Sequence, residues 1–200
     1  MISFTLIMIF AAYMLGSVSS AIIVCYLFGK GDPRTQGSGN PGATNVLRIA
    51  GPLAAGIVLT FDIMKGTLSV YVAFLLGVDA ISIGVVAIAA CLGHMFPIFF
   101  KFKGGKGVAT ALGCLIALGF NWAGLLLGIW ILMVIVTGYS SLAAIVTMTI
   151  APIYTLFFKP EYMYSVLMLS VMIILQHREN IWRLLHGKEN KIWKKGNVNE

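Results

Sequence analysis

The first polar segment of the chain combines glycines with hydroxyl, amide and guanidinium side chains. It reads Gly37-Ser38-Gly39-Asn40-Pro41-Gly42-Ala43-Thr44-Asn45-Val46-Leu47-Arg48 and runs into an apolar stretch. Glycines allow backbone N–H groups to turn inward around an anion, and a guanidinium can hold phosphate with two parallel donors. The segment lacks the GxxxxGK[ST] pattern of a Walker A loop, so Gly, Pro and Asn acting only as turn formers is the alternative. We predict a phosphate cradle formed by Ser38, Gly39, Asn40, Thr44, Asn45 and Arg48.

The second polar segment places lysines and glycines directly before an apolar helix. It reads Lys101-Phe102-Lys103-Gly104-Gly105-Lys106-Gly107. Free backbone N–H groups, the positive end of the following helix and two lysines would meet at one spot. This pattern predicts an anion site formed by Lys103, Gly104, Gly105, Lys106 and Gly107. His94 lies just before this segment, and both a hydrogen-bonded structural role and a functional role are open for it.

The third polar segment repeats chemically useful side chains at helical spacing. His177, Asn180 and Arg183 stand at i, i+3 and i+6, so they would share one face of a helix. That face can complete a phosphate site. The alternative is an ordinary solvated basic end of the last helix.

Two further places carry polar groups near apolar runs. Asp62 and Lys65 lie three residues apart inside an apolar stretch, where each charge costs about 2.5–3.5 kcal/mol at mid-bilayer. We expect them to pair inside a helix bundle, in a structural or a catalytic role. The turn at 137–141 would bring Ser140 or Ser141 to the same membrane face as the polar segments.

The elements that position these residues must be membrane helices. The chain is 59% hydrophobic and only 10% charged, with a mean hydropathy of +0.93, which excludes an ordinary soluble domain. The first window has no positive charge before it, which indicates a retained span rather than a signal peptide. We predict a single all-α integral membrane domain over 1–200 with about seven transmembrane helices, at 4–28, 51–77, 80–98, 107–119, 122–138, 142–158 and 162–176.

The charge distribution predicts the orientation of these helices. The loops 29–50, 99–106 and 177–200 hold three, three and six of the 14 basic residues. Because basic loops stay on the cytoplasmic side, we expect the N-terminus outside and the C-terminus in the cytoplasm. The basic residues are not interleaved with aromatic residues for stacking on bases, so no nucleic acid partner is expected.

Three long motifs resemble the signature segments of a known family. The motifs GSGNPGATNVLR, GHMFPIFFKFKGGKGVAT and HRENIWRLLHGKEN are similar, in order and spacing, to those of the bacterial membrane acyl-phosphate:glycerol-3-phosphate acyltransferases, the PlsY family. The resemblance covers nearly the whole chain. Relatives often carry Arg before the tyrosine of the 137–141 turn, whereas this chain has Gly138, so a phosphate contact from that position is not expected here.

The resemblance implies a reaction, a location and partners. The reaction would transfer an acyl chain from acyl phosphate to the sn-1 hydroxyl of glycerol 3-phosphate, giving lysophosphatidic acid and phosphate, the first acylation of phospholipid synthesis. The enzyme would lie in the bacterial cytoplasmic (inner) membrane with its active site facing the cytoplasm. Acyl phosphate, glycerol 3-phosphate and membrane lipids would be partners, and the enzyme that makes acyl phosphate is a candidate partner of the basic tail.

The mechanism we expect relies on the substrate. His177, Lys106 and Asn180 are the candidate catalytic residues, and Ser141 and Arg183 are further candidate phosphate ligands. No His-x-x-x-x-Asp pair occurs, because Phe99, Trp182 and Lys191 stand five residues after the three histidines. A histidine base would therefore lack its usual orienting carboxylate, and a phosphate oxygen of the donor would accept the hydroxyl proton. No metal or organic cofactor is expected.

A transporter of a phosphorylated solute is the competing interpretation. It would use the same basic loops as a vestibule for its substrate. Charged residues deep in many helices and an internal repeat would favour it. The apolar stretches contain only Asp62 and Lys65 at such depth, and no repeat is visible.

Overall fold

The computed structural model describes residues 2–193, which contain helices and no strand. The helices are α1 Ile2–Gly16, α2 Ser20–Leu27, α3 Ala43–Leu75, α4 Ala80–Met95, α5 Val108–Leu118, α6 Phe120–Thr137, α7 Ser140–Phe158, α8 Met163–Gln176 and α9 Arg178–Leu185. Short 3-10 turns lie at Pro33–Thr35, Ile98–Phe100 and Pro160–Tyr162. Lys194 and Lys195 of the predicted basic tail lie outside the described residues.

Five candidate membrane spans are present in the described part of the chain. They are Phe4–Leu27, Ala43–Leu75, Ala80–Phe100, Phe120–Thr137 and Ser140–Phe158, and two shorter apolar helices cover Val108–Leu118 and Pro160–Gln176. The prediction of an all-α membrane protein is confirmed. The count of seven crossings stays a prediction, because the two shorter helices fall below the usual length of a span.

The first apolar window, predicted as one span over 4–28, is a candidate span at Phe4–Leu27, but it consists of two helices. α1 ends at Gly16 and α2 begins at Ser20. The break leaves the carbonyl of Val18 free to accept a hydrogen bond from Lys65 Nζ at 3.1 Å. A buried ammonium needs such an acceptor, since it has no water to bond. The interruption thus supplies a polar partner inside the bundle.

The second span starts earlier than predicted. α3 begins at Ala43, not at residue 51, and it bends at Gly51, where φ is 83° and ψ is −179°. The next residue is Pro52, which lacks an N–H donor and disfavours helical backbone in the residue before it. Gly51 adopts the non-helical conformation at little cost. The polar loop predicted as 29–50 therefore ends at residue 42, and Thr44, Asn45 and Arg48 lie on a helix.

Glycines bring the central helices into backbone contact. A Cβ on Gly66 of α3 would overlap the Thr110 carbonyl of α5, and one on Gly113 of α5 would overlap the Ile63 carbonyl of α3. Thr67 Oγ1 also donates to the Gly113 carbonyl at 2.9 Å. Close packing through small residues is typical of membrane helices. α5 is therefore held tightly on α3 from its first turns.

The polar segments gather at one end of the bundle, which we call the polar end. Arg34 Nη1 donates to the Phe100 carbonyl at 2.8 Å, joining the first segment to the second. The backbone N–H of Ile192 donates to the Gly138 carbonyl at 2.8 Å, so the chain after α9 folds back over the turn between α6 and α7. Gly119, which lies between α5 and α6, is next to the side chain of Lys159, the residue after α7. The α5–α6 turn is therefore close to the end of α7.

Candidate active site

The side chain of Glu189 is the centre of the polar end. Its Oε1 accepts hydrogen bonds from Ser141 Oγ at 2.7 Å and from Asn180 Nδ2 at 2.6 Å. Its Oε2 accepts from Arg183 Nε at 2.7 Å. Burial raises the pKa of this carboxyl, but the bonds from Ser141, Arg183 and Asn180 outweigh burial and hold the pKa below its ordinary value. Glu189 is therefore an anion that ties together α7, α9 and the returning chain.

Sequence reasoning did not single out Glu189. The signal was Gly187, which follows the end of α9 at Leu185 and takes a left-handed backbone with φ 65°. Glycine in this conformation commonly ends a helix and reverses the chain. The reversal brings position 189 back beside Arg183. A carboxylate two residues after a helix-ending glycine is therefore a sequence pattern that can indicate a residue folded back against the helix.

Lys106 points at the same group of side chains. Its Nζ donates to Asn180 Oδ1, and Asn180 in turn donates to Glu189. The amide of Asn180 is 5% exposed overall and spans the lysine and the carboxylate. The structure thus brings Lys106 of the second segment next to Asn180 of the third.

The glycines of the second segment place Lys106 by close approach to the end of α4. The N–H groups of Gly104 and Gly105 donate to the carbonyls of Met95 and His94, each at 3.1 Å. A Cβ on Gly105 would overlap the ring of His94, and one on Gly107 would overlap the side chain of Met95. These glycines are required by space as well as by backbone freedom. Lys103 differs from Lys106, because its side chain is exposed. Its backbone N–H donates to the Phe100 carbonyl at 3.3 Å, and its carbonyl accepts from Arg34 at 3.4 Å.

Arg48 approaches the cluster from α3. Its Nη2 donates weakly to the carbonyls of Asn190 and Lys191, at 3.3 and 3.4 Å. Its Nε is buried and donates to no atom of the described residues. Arg48 also interacts electrostatically with Glu189 and Arg183. A half-buried guanidinium with a buried, unused donor is suited to an anionic ligand.

His177 lies at the junction of α8 and α9 and is 3% exposed. Its Nδ1 contacts the Ile173 carbonyl at 2.8 Å, and a carbonyl only accepts, so Nδ1 carries the proton and Nε2 is free to accept. Burial lowers the pKa of His177 to about 4, against the Ile173 bond and with help from Lys106. The ring is therefore neutral at pH 7. A group of such low pKa is a weak base at that pH.

The first polar segment divides into a structural part and a part that reaches the cluster. Asn45 is 1% exposed; it accepts from the Ser38 N–H at 2.9 Å and donates to the carbonyls of Pro33 and Gln36. Its amide thus builds the loop. Thr44 Oγ1 lies 3.1 Å from Ser140 Oγ, beside the start of α7. Ser38 and Gly39 are exposed, and Asn40 is half-buried next to Gly42; no contact between these three and Lys106 or Glu189 is present in the described structure.

Gly138 seats the returning chain. It has φ 78°, and a Cβ there would press on the side chains of Lys191 and Trp193. Lys191 Nζ also lies 5.6 Å from the ring centre of Tyr139. The absence of a side chain at 138 leaves room for the segment that carries Glu189.

Within residues 2–193, no three His, Cys, Asp or Glu side chains are grouped so that they can hold a metal ion.

The pKa of Lys106 predicts a pH dependence. Burial lowers this pKa to about 8, and Arg183 and Arg48 act in the same direction against Glu189 and Glu179. The ammonium is charged below that pH and neutral above it, so binding of a phosphate substrate weakens as the pH rises. We expect kcat/KM to fall about tenfold per pH unit above the pKa, because this ratio reports groups of the free enzyme.

The pH profile of the Lys106→Arg variant is the control. Arginine stays charged throughout this range, so the alkaline decrease should disappear even if the activity is lower. Substrate phosphate is fully ionised well below this range, since its second pKa is about 6. A decrease of the same shape in both proteins would contradict the assignment to Lys106.

The chain is similar to known proteins in both sequence and fold. A family model described as glycerol-3-phosphate acyltransferase matches residues 6–187. A glycerol-3-phosphate acyltransferase of Shewanella loihica is 59% identical over 191 residues, covering 96% of this chain and 94% of the relative. One of Colwellia psychrerythraea is 58% identical over 192 residues, covering 96% and 98%.

Two solved structures have the same fold. Both are crystal structures of PlsY (YgiH), an integral membrane glycerol 3-phosphate acyltransferase, one in its glycerol 3-phosphate form and one in its lysophosphatidic acid form. Their TM-scores are 0.89 and 0.87, at 36% identity and with 94% of each chain covered.

Proposed function

Because this chain belongs to the glycerol-3-phosphate acyltransferase family, we propose that its acyl donor is acyl phosphate and that the phosphate of this donor takes part in catalysis. Membership makes it an integral membrane acyltransferase of phospholipid biosynthesis. The reaction we propose joins the acyl group to the sn-1 hydroxyl of glycerol 3-phosphate. Its products are lysophosphatidic acid and inorganic phosphate.

One observation carries this proposal: three cations, Arg48, Lys106 and Arg183, lie around the carboxylate of Glu189, and the only further carboxylate that acts on them among the described residues, Glu179, is exposed. The cluster thus holds an excess of positive charge, and Arg48 Nε has no acceptor among the described residues. Such a cluster favours a phosphate group, which supplies negative charge and several acceptor oxygens. Both proposed substrates carry one.

The proposed chemistry needs no base from the protein. The sn-1 oxygen attacks the acyl carbon, the bond from that carbon to the phosphate oxygen breaks, and the hydroxyl proton moves to the leaving phosphate. Lys106 and Arg48 neutralise charge on the phosphates and hold the two reactants in place. The low pKa of His177, about 4, supports this route, since a phosphate dianion is a stronger base than this ring.

We propose roles for the site residues on this basis. Lys106, Asn180 and His177 contact the reacting groups, with the free Nε2 of His177 accepting a hydrogen bond from substrate. Asn45 acts by holding the first loop. The phosphate-binding residues would be Arg48, Arg183, Ser141, Thr44 and the backbone of Gly104, Gly105 and Gly107, with Ser38, Gly39, Asn40 and Lys103 at the entrance.

The His177→Ala variant tests the absence of a protein base. Removing a true general base lowers kcat by about 10²–10⁴-fold. We expect a decrease of about tenfold or less from the lost hydrogen bond, with KM for glycerol 3-phosphate little changed. Steady-state kinetics on the purified variant measure both constants. Loss of turnover by 10³-fold or more with intact substrate binding would identify His177 as the base.

We also propose that the polar end faces the cytoplasm of a bacterial inner membrane, with the N-terminus outside. The basic residues Lys30, Arg34, Lys101 and Lys103 lie at this end, and basic loops stay in the cytoplasm. The contact between Gly119 and Lys159 supports α5 and α8 as crossings, giving seven in one domain over 1–200. Membrane lipids surround this domain, and the enzyme that makes acyl phosphate is a candidate partner.

Product analysis tests the proposed function. Purified protein in detergent is incubated with acyl phosphate and glycerol 3-phosphate, and the lipid product is identified by mass spectrometry and by its sn-1 or sn-2 position. We expect sn-1 lysophosphatidic acid and an equal amount of phosphate. Without glycerol 3-phosphate, phosphate release should stay at the background rate. Folded protein that yields no lysophosphatidic acid would contradict the proposal.

A further inference from the structure

A second polar cluster lies inside the bundle and takes no part in the chemistry proposed above. Asp62 Oδ1 accepts from Lys65 Nζ at 2.8 Å and from Ser20 Oγ at 2.9 Å. His94 Nδ1 lies 3.5 Å from the same oxygen. Asp62, Lys65 and His94 are 2%, 6% and 8% exposed, so water does not solvate these groups. The predicted pairing of Asp62 with Lys65 is confirmed, and His94 joins it.

This cluster connects three helices and the break between α1 and α2. Asp62 and Lys65 lie on α3, His94 on the last turn of α4, and Ser20 at the start of α2. Lys65 also donates to the Val18 carbonyl within the break. Buried ion pairs can often be replaced by apolar residues without loss of stability. A gain in stability is thus a weak explanation for charges at this place. The contacts of Asp62 with Lys65 and His94 instead suit a role in orienting the His94 ring.

The far side of His94 supports the glycine loop of the active site. The ring edge opposite Asp62 lies where a Cβ on Gly105 would be, and the His94 carbonyl accepts the Gly105 N–H. Asp62 therefore holds one edge of the ring while the other edge is packed against the loop. A change in ring position would move Gly105, and Lys106 is the next residue.

The same part of α3 fixes the loop from its other end. α5 begins at Val108, directly after the loop, and its Thr110 and Gly113 pack on Ile63, Gly66 and Thr67. These α3 residues lie within the same short stretch, 62–67, as Asp62 and Lys65. Contacts with residues 62–67 of α3 thus hold the loop 103–107 on both sides, through His94 before it and through α5 after it.

We propose that Asp62, Lys65 and His94 are positioning residues that set the anion loop 103–107, and with it the ammonium of Lys106, without touching substrate. The inference rests on the proposed function. Its physical basis is that displacement of a catalytic group by about 1 Å can lower a rate by about 100-fold. The cluster therefore acts on KM and kcat/KM through the loop.

Two substitutions of His94 separate its bond to Asp62 from its packing. His94→Asn can keep a donor at the Nδ1 position but lacks the ring, and His94→Phe keeps the ring but lacks the donor. We expect both to raise KM for a phosphate-bearing substrate by at least about tenfold. Asp62→Asn should do the same. Asp79→Asn is the matched control: Asp79 caps α4 by accepting from the Ser82 N–H at 3.0 Å, and its kinetics should match wild type.

A double variant tests the contact with the loop. Gly105→Ala should lower kcat/KM by about 100-fold because its methyl group collides with His94. In the His94→Asn background the ring is absent. Adding Gly105→Ala to that background should therefore reduce kcat/KM by a factor at least about tenfold smaller than it does in the wild type. A double variant whose loss in kcat/KM equals the product of the losses in the two single variants would overturn the proposed contact.

Binding of inorganic phosphate separates this inference from the proposed function. Phosphate should raise the unfolding temperature of the folded wild type, and its apparent affinity should fall by about tenfold in Asp62→Asn and His94→Phe, whatever the acyl donor. Thermal unfolding without phosphate shows whether the variants are folded. Unchanged phosphate binding and unchanged KM in folded variants would overturn the positioning role. Wild type that binds phosphate but makes no lysophosphatidic acid would contradict only the proposed function.

Discussion

Replacing Lys106 by methionine should lower kcat/KM by about 10²–10³-fold, the usual loss on removing one preorganised donor from a reacting group. Methionine keeps most of the length and apolar contacts of lysine and removes only the charge and its donors. The lost group is the one that contacts Asn180 and lies near Arg183 and Arg48. Steady-state kinetics at pH 7, where the wild-type ammonium is charged, measure the effect.

Lys101→Met is the matched control for that variant. Lys101 belongs to the same segment, but it is exposed and has a left-handed backbone with φ 59°, which both residues adopt with equal strain. It should keep activity within about twofold, since exposed charges away from a site contribute little. Equal losses in the two variants would show that the whole basic segment, and not Lys106, provides the effect.

Replacing Glu189 by alanine should lower the free energy of unfolding by about 3–5 kcal/mol, because it leaves the buried partners of a charged network unpaired. The side chain of Glu189 is only 9% exposed. It accepts from Ser141, Asn180 and Arg183, so α7, α9 and the returning chain lose a common acceptor. Activity should fall with it, as Asn180 no longer holds Lys106.

Glu179 provides a control with the same partner. It lies 3.8 Å from Arg183, but its side chain is 73% exposed, and exposed pairs contribute about 1 kcal/mol or less. Chemical unfolding in detergent measures both variants, and Glu189→Gln should lie between them. A Glu189→Ala protein as stable as Glu179→Ala would mean that Glu189 does not hold the polar end together.

The sequence predicted the parts of this site that follow from local pattern. The glycines and lysines of 103–107 indicated an anion loop, and the spacing of His177, Asn180 and Arg183 indicated one helix face. The structure brings Lys106, Asn180 and Arg183 to one cluster. These patterns succeed because backbone freedom and helical periodicity are properties of the segment itself.

The parts that the sequence did not predict depend on contacts between distant segments. The break after Gly16 is an example, because residues 4–28 contain no charged residue and no proline. The partner of the Val18 carbonyl in the break is Lys65, which is distant in the sequence. The start of α3 at Ala43 was missed because Asn45 and Arg48 resemble loop residues in isolation. Glu189 was missed because its donors lie on two different helices, Ser141 on α7 and Asn180 and Arg183 on α9.

The competing transporter interpretation gains no support from the buried charges. It uses the basic loops as a vestibule, and charged residues deep in many helices would favour it. Asp62 and Lys65 instead satisfy each other and Ser20, Val18 and His94. The chain is also an acyltransferase by family.

The choice of acyl donor tests the central claim most directly. Purified protein is given glycerol 3-phosphate with the same acyl chain attached to phosphate, to coenzyme A or to acyl carrier protein, and lysophosphatidic acid is measured over time. We predict rapid synthesis with acyl phosphate, one phosphate released per product, and background rates with both thioesters. Synthesis from either thioester at a rate equal to that from acyl phosphate would contradict a mechanism in which the donor's own phosphate accepts the proton.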